Sequence, residues 1–126
     1  MAEQEADRRW PRWVYGVGSE PDPRFTFANE RTFLAWVRTA LGFVAAGVAL
    51  AAVGRLGGLN DLGARTAALL LVLAGLVSGV GALTRWARSE RALRLEEPLP
   101  SSALLLVLTG IVALSAAAAL VVVTFA

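Results

Sequence analysis

The sequence predicts an all-α, polytopic membrane protein with three transmembrane helices, its N-terminus cytoplasmic and its C-terminus outside, assembled as a homo-oligomeric helical bundle. Three observations predict it: three apolar runs of membrane-crossing length, an uneven sharing of arginines between the links, and a face of small and cationic residues on the first run. In a chain of 126 residues, 56% hydrophobic, Thr39 to Gly54 is 16 residues without a charge, Thr66 to Thr84 is 19, and Ser101 to Ala126 is 26. A hydrocarbon core about 30 Å thick takes roughly 20 helical residues. The first run reaches that length when it starts at Thr32 and tolerates Arg38. A soluble bundle of helices apolar all round would leave too little polar surface to cover so small a core.

The elements follow in order. Residues 1–23 form a cytoplasmic, interfacial segment in which Arg8, Arg9 and Arg12 interleave with Trp10, Trp13 and Tyr15. Aromatic rings with one polar edge and arginines both favour an anionic headgroup layer. The same composition could stack on single-stranded nucleic acid, but beside a span the membrane lipid is the expected partner and nucleic acid is not. Pro21 and Pro23 mark the start of helix one, about 24–54, which opens the three-span membrane domain, 24–126. Asn60 and Asp61 are turn formers in a short Gly-rich link, so helix two, about 64–95, returns as the second arm of a hairpin. Pro98 and Pro100 stop it, and Ser101 or Ser102 is placed to cap helix three, about 101–125. Six arginines precede the apolar part of helix one, Arg55 and Arg65 flank the first link, and Arg85, Arg88, Arg91 and Arg94 fill the second. The positive-inside rule then sets the orientation stated above. The first apolar run starts only after about thirty residues, so insertion is expected from the spans and not from a leader.

Composition also narrows the chemistry. The chain has no Cys, no His and one Met, which removes thiol nucleophiles, imidazole bases and the usual zinc and copper ligands. No cofactor, metal or catalytic residue is expected, and the chain is not read as an enzyme. Glu96 and Glu97 are adjacent and would point apart on a helix. Asp61 has the role of a turn residue, and Gly57-Gly58 lacks the strand-to-helix setting of a phosphate loop. All twelve basic residues are Arg, a pattern that suits phosphate and that GC-rich coding produces as well.

At 100° per residue, Arg31, Ala35, Arg38, Gly42, Ala45, Ala49 and Ala52 share one narrow sector of helix one, with Phe33, Val37, Leu41, Val44 and Val48 on the far side. Arg24 continues the row, since 24, 31 and 38 are seven apart, about 10.5 Å per step. Two expectations stay open for this stripe. In one, small residues here and at Gly75 and Gly79 of helix two let helices pack closely, while Arg38 snorkels to the surface. In the other, Arg24, Arg31 and Arg38 face other subunits and line an anion site, with Asn29, Glu30, Thr32, Thr39, Arg85 and Arg88 as supporting polar groups. Glu30 is expected to pair with Arg85, Arg88 or a neighbouring subunit.

"DPRFTFANERTFLAWVRTALGFVAAGVAL" and "RWARSERALRLEEPLP" resemble the YidH-like membrane proteins, the domain-of-unknown-function 202 (DUF202) family. The resemblance covers nearly the whole chain from Trp10 and implies the bacterial inner membrane. That family is also similar to the membrane module of the vacuolar transporter chaperone, a polyphosphate polymerase. There, as the resemblance implies, five three-span modules surround a pore lined by their first helices, whose basic residues contact polyphosphate. Arg24, Glu30 and Arg31 match that pattern; Arg38 departs from the eukaryotic one and fits the bacterial one. The polymerase domain has no counterpart here. The expected function is an oligomeric membrane protein, a pentamer by that resemblance, whose basic cytoplasmic vestibule binds or conducts phosphate or polyphosphate-like anions. The alternatives are a non-conducting structural or accessory subunit and an organiser of anionic lipid.

Overall fold

A computed structural model describes residues 7–57 and 62–125, without the side chains of 115, 118–123 and 125. It is all-helical in those residues: α1, Arg12–Tyr15; α2, Pro23–Leu56; α3, Leu62–Arg94; and α4, Ala103–Phe125. Gly58, Asn60 and Asp61 lie outside the described residues.

Pro23 sits in the first turn of α2, where its missing N–H costs nothing, and the Asp22 carboxylate accepts from the Arg24 N–H at 2.9 Å. At 34 and 33 residues, α2 and α3 are each about 50 Å long. Both exceed the hydrocarbon thickness, so their ends protrude. The chain is an integral membrane protein with two helices long and apolar enough to cross. At 23 residues, α4 has crossing length as well.

The hairpin of α2 and α3 is built on rows of small residues at seven-residue spacing. Ala40, Gly47 and Gly54 are the buried positions of α2, and Ala68, Gly75, Ala82 and Ser89 form the matching buried row of α3. Seven-residue repeats keep one seam against a partner along the whole length. A Cβ added at Gly75 would lie 2.8 Å from the Ala40 carbonyl oxygen and 3.2 Å from the Val44 nitrogen. One at Gly47 would lie 2.8 Å from the Ala68 carbonyl oxygen. The two backbones therefore touch at the glycines, which is how helices gain dispersion contact in lipid, where burial of apolar surface gives no drive. The expectation that Ala35, Gly42, Ala45 and Ala49 supply this packing is corrected within the protomer. All four are exposed, and a Cβ added at Gly42 would meet nothing within 4 Å. Positions 24, 31, 38, 45 and 52 lie about 200° around the helix from 26, 33, 40, 47 and 54, so the helix can turn only one row toward α3.

α3 ends in a left-handed residue, Glu96 at φ 55°, with the Glu97 N–H donating to the Ala92 carbonyl at 2.9 Å and the Glu96 N–H to that of Leu93 at 3.4 Å. These bonds satisfy carbonyls that a helix end would leave bare. α4 touches α3 where Leu104 packs on Gly81, and then runs past α2 with an open cleft between them. The capping role expected of Ser102 is not realised: its Oγ is buried without a hydrogen-bond partner.

Candidate functional site

Polar chemistry gathers at the arginine-rich ends of α2 and α3. There the Glu90 side chain, 2% exposed, lies between the two helices. Its carboxylate accepts from Thr26 Oγ1 at 2.9 Å and from Asn29 Nδ2 at 3.1 Å, and Asn29 Nδ2 also reaches the Trp86 carbonyl at 3.1 Å. A buried carboxylate is tolerable only when such donors replace water. Asn29, expected to support the basic row, is instead committed to α3. It stands 200° from Arg31 around α2.

Contacts step in register along the hairpin: Thr26 with Glu90, Asn29 with Trp86, Ala40 with Gly75, Gly47 with Ala68. Arg85, which follows the uncharged run of α3, is thereby level with Glu30 and Arg31. Arg38 is seven residues further along, about 10.5 Å deeper.

The row itself is open. Arg24, Arg31 and Arg38 are exposed on the side of α2 turned away from α3, and among the described residues none of them pairs with a carboxylate. Below them Gly42, Ala45, Ala49 and Ala52 continue the same exposed strip. Thr32 and Thr39 donate their hydroxyls to the carbonyls of Ala28 and Ala35 on their own helix, at 3.1 and 3.2 Å. Glu30 is exposed, and the expected pairing with Arg85 or Arg88 is absent within the protomer. Arg85 lies over the Trp36 ring instead, 5.8 Å from its centroid, and Arg88 is exposed. A guanidinium stacked on an indole needs no carboxylate to hold it. Gly75 makes the close contact described above, whereas Gly79 is looser: a Cβ added there would lie 3.9 Å from Ala40 Cβ.

The N-terminal segment is strapped over the end of α3 by Arg94, which is 5% exposed. Its Nε donates to the Val17 carbonyl at 2.9 Å, and its two terminal nitrogens to Glu20 at 3.1 Å and to the Tyr15 carbonyl at 3.3 Å. Arg91 donates to the Trp13 carbonyl and lies 4.7 Å over the Trp13 ring. Gly18 has φ 61°, and a Cβ there would run into the Arg94 carbonyl, so this crossing admits glycine alone. Arg9 bridges Asp7 and Glu20. Its hydrogen bond holds the Asp7 carboxyl down to about 2 and lowers that of Glu20 too. The Tyr15 phenol, packed 6.4 Å from Trp86, is pushed up, first by burial and then by the Glu90 charge. Trp10 remains 84% exposed beside Arg8.

Comparison with known proteins adds the family. Residues 24–92, which hold the open basic row, the hairpin seam and Glu90, match the domain of unknown function DUF202. The chain belongs to the DUF202 family. Among similar proteins, it is 46% identical over 93 residues to the inner membrane protein YidH of Escherichia coli (strain K12), covering 74% of this chain and 80% of that one. It is 55% identical over 83 residues to Uncharacterized protein Rv2272 of Mycobacterium tuberculosis (strain ATCC 25618 / H37Rv), covering 64% and 66%. No solved structure matches. With its two membrane-length helices, this DUF202 chain is an integral protein of the bacterial inner membrane.

The sequence expectations do not include Glu90, Thr26 or Arg94 as site residues. A signal for the first two existed: Thr26, Phe33, Ala40, Gly47 and Gly54 form a second seven-residue row, and Ser89, beside Glu90, ends the row from Ala68. Nothing local marks Arg94 among its neighbouring arginines.

Proposed function

We propose that this DUF202 chain is a three-span subunit, N-terminus cytoplasmic and C-terminus outside, of a homo-oligomer that gathers its α2 basic rows into a vestibule binding or conducting phosphate-like anions. One observation carries the reading: Arg24, Arg31 and Arg38 are all exposed, carboxylate-free and directed away from α3. An arginine about 10.5 Å below the level of Arg85 costs least where it faces water or an anion, and up to ~2.5 to 3.5 kcal/mol where it faces lipid at mid-depth. A ring of copies turns each arginine of the row into a ring of positive charge, which favours anions. The five-fold assembly implied by the family resemblance is the expected stoichiometry. Below the arginines, Ala45, Ala49 and Ala52 form an apolar stretch suited to closing the path by excluding water.

The test is conductance of the purified protein in planar bilayers. Anion-selective current that weakens in Arg31→Ala and Arg38→Ala is expected. Silence at all voltages and phosphate concentrations, together with crosslinking of the row to a different protein in native membranes, would replace this reading with the accessory-subunit one.

A further inference from the structure

The cleft between α2 and α4 is centred about 95° around α2 from the basic row, with Ala35 bordering both. It is an open groove of about 510 Å³ walled by Ala35, Trp36 and Phe43 on one side and Leu108, Val112 and Ala113 on the other. Two threonines also border it, and neither offers a free hydroxyl. Thr39 donates to the Ala35 carbonyl at 3.2 Å and Thr109 to that of Leu105 at 2.7 Å. With both hydroxyl protons committed to their own helices, the groove presents mainly hydrocarbon to an occupant. Its walls extend from Ala35 to Phe43 and from Leu105 to Ala116, about 12 Å and 16 Å along the helices. One leaflet of hydrocarbon is about 15 Å deep, so the groove has the length of one leaflet.

Charge sits at a single end of it. Trp36, which walls the groove at its arginine-rich end, carries the Arg85 guanidinium over its ring. Arg88, one turn further along α3, is exposed. Neither pairs with a carboxylate among the described residues. Both continue the face of α3 that carries Gly81, against which Leu104 of α4 packs. An apolar slot one leaflet deep, with the Arg85 guanidinium stacked on the indole at its end and Arg88 exposed one turn beyond on the same face of α3, is complementary to one kind of molecule. We propose that the α2–α4 cleft binds an anionic phospholipid, one acyl chain lying in the groove and the phosphate held by Arg85 and Arg88. Guanidinium groups bind phosphate through paired N–H donors, and the flanking Trp36 fixes the depth.

The test is native mass spectrometry of the purified full chain titrated with phosphatidylglycerol and with phosphatidylcholine of identical acyl chains. The wild type is expected to retain phosphatidylglycerol over phosphatidylcholine by on the order of tenfold, each arginine near the surface contributing a severalfold preference. Arg85→Gln with Arg88→Gln brings the two lipids to parity and leaves phosphatidylcholine retention unchanged. Ala113→Phe, at an exposed wall position where the protein itself has room, removes both lipids. Ala116→Phe is the second filling variant, with circular dichroism to show that each still folds. Arg31→Ala with Arg38→Ala leaves the lipid preference intact, so the vestibule and the cleft fail separately. Parity of the two lipids in the wild type, a preference that survives loss of Arg85 and Arg88, or one that disappears with Arg31 and Arg38 overturns the proposal. Disulfide trapping of Ala113→Cys to a second copy overturns it too, because a neighbouring helix then fills the groove.

Discussion

Adding one methyl group to either of two glycines, both on membrane helices, separates the seam from the open face. In Gly75→Ala the new Cβ meets the Ala40 carbonyl oxygen at 2.8 Å and the Val44 nitrogen at 3.2 Å, besides Val44 Cγ2 at 2.6 Å. The side-chain methyl can rotate away; the backbone atoms cannot. The helices must separate locally, at a cost of about 1 to 3 kcal/mol, of which the better helix propensity of alanine returns up to ~1 kcal/mol. With that gain in full, net destabilisation of about 0 to 2 kcal/mol is expected. In Gly42→Ala the Cβ meets nothing, so the protomer gains up to ~1 kcal/mol from propensity alone. The assay is far-ultraviolet circular dichroism during a dodecyl sulfate titration, with the oligomeric state followed by single-molecule photobleaching in bilayers. Gly75→Ala unfolds earlier than wild type and Gly42→Ala unfolds later. Gly42→Ala also weakens self-association if the open face of α2 meets other copies. Equal unfolding midpoints for the two variants refute the close α2–α3 contact, and an unchanged subunit count in Gly42→Ala refutes the role given to the open face.

Arg94→Ala releases the N-terminal strap: its partners Glu20 and the Tyr15 and Val17 carbonyls regain water, so a local loss of about 1 to 3 kcal/mol is expected. Hydrogen exchange rises over residues 7–20 and not along α2, and Arg94→Lys fails to restore protection because an ammonium cannot span three acceptors in a fixed fork. The same strap is sensitive to acid. Asp7, held at about 2, and Glu20, lowered as well, have folded-state values below their unfolded ones near 4. Their contribution is complete above pH of about 4 and is lost as pH falls toward about 2. Tryptophan emission should be flat from neutrality to that point and then shift, with the transition flattened in Asp7→Asn combined with Glu20→Gln. Glu90→Ala leaves the Thr26 hydroxyl without its acceptor and opens a cavity, costing about 2 to 4 kcal/mol in the dodecyl sulfate titration. Glu90→Gln, which keeps the volume and one acceptor oxygen, costs about 1 kcal/mol; equal losses in the two would show that the carboxylate itself is needed.

The membrane-length helices were legible because absence of charge over 16 to 19 residues is a one-dimensional signal that folding does not rearrange. The basic row was legible as a periodicity for the same reason. Which row faces α3 was not. Gly42 and Gly47 look alike in a wheel projection, and only pairing with Ala68 and Gly75 decides between them. The Asn29–Glu90 bond joins residues 61 apart, and no local pattern encodes such a meeting. The aromatics and arginines of the strap predict an interfacial segment, but its attachment depends on Arg94, one of four arginines at similar spacing, and on the bare backbone of Gly18.

The two seven-residue rows of α2 therefore stand in different positions. Thr26, Phe33, Ala40, Gly47 and Gly54 are accounted for within the protomer, since Ala40 is buried and a Cβ at Gly47 would already meet the Ala68 carbonyl of α3. The opposite row keeps Gly42, Ala45, Ala49 and Ala52 small although nothing in the protomer crowds them. Against acyl chains alone, leucine would serve at those positions at least as well, because lipid tails pack on large and small side chains alike. Smallness is useful where a second helix must come close, and arginines at the same row's polar end are tolerable where that neighbour leaves water or an anion between the copies. Ala45→Leu tests both halves of this reasoning. It meets no crowding within the protomer and should leave the hairpin's unfolding midpoint within about 0.5 kcal/mol of wild type. If the copies meet along this row, it should lower the subunit count; if α2 faces only lipid there, assembly is unchanged and the row's smallness has no structural cause.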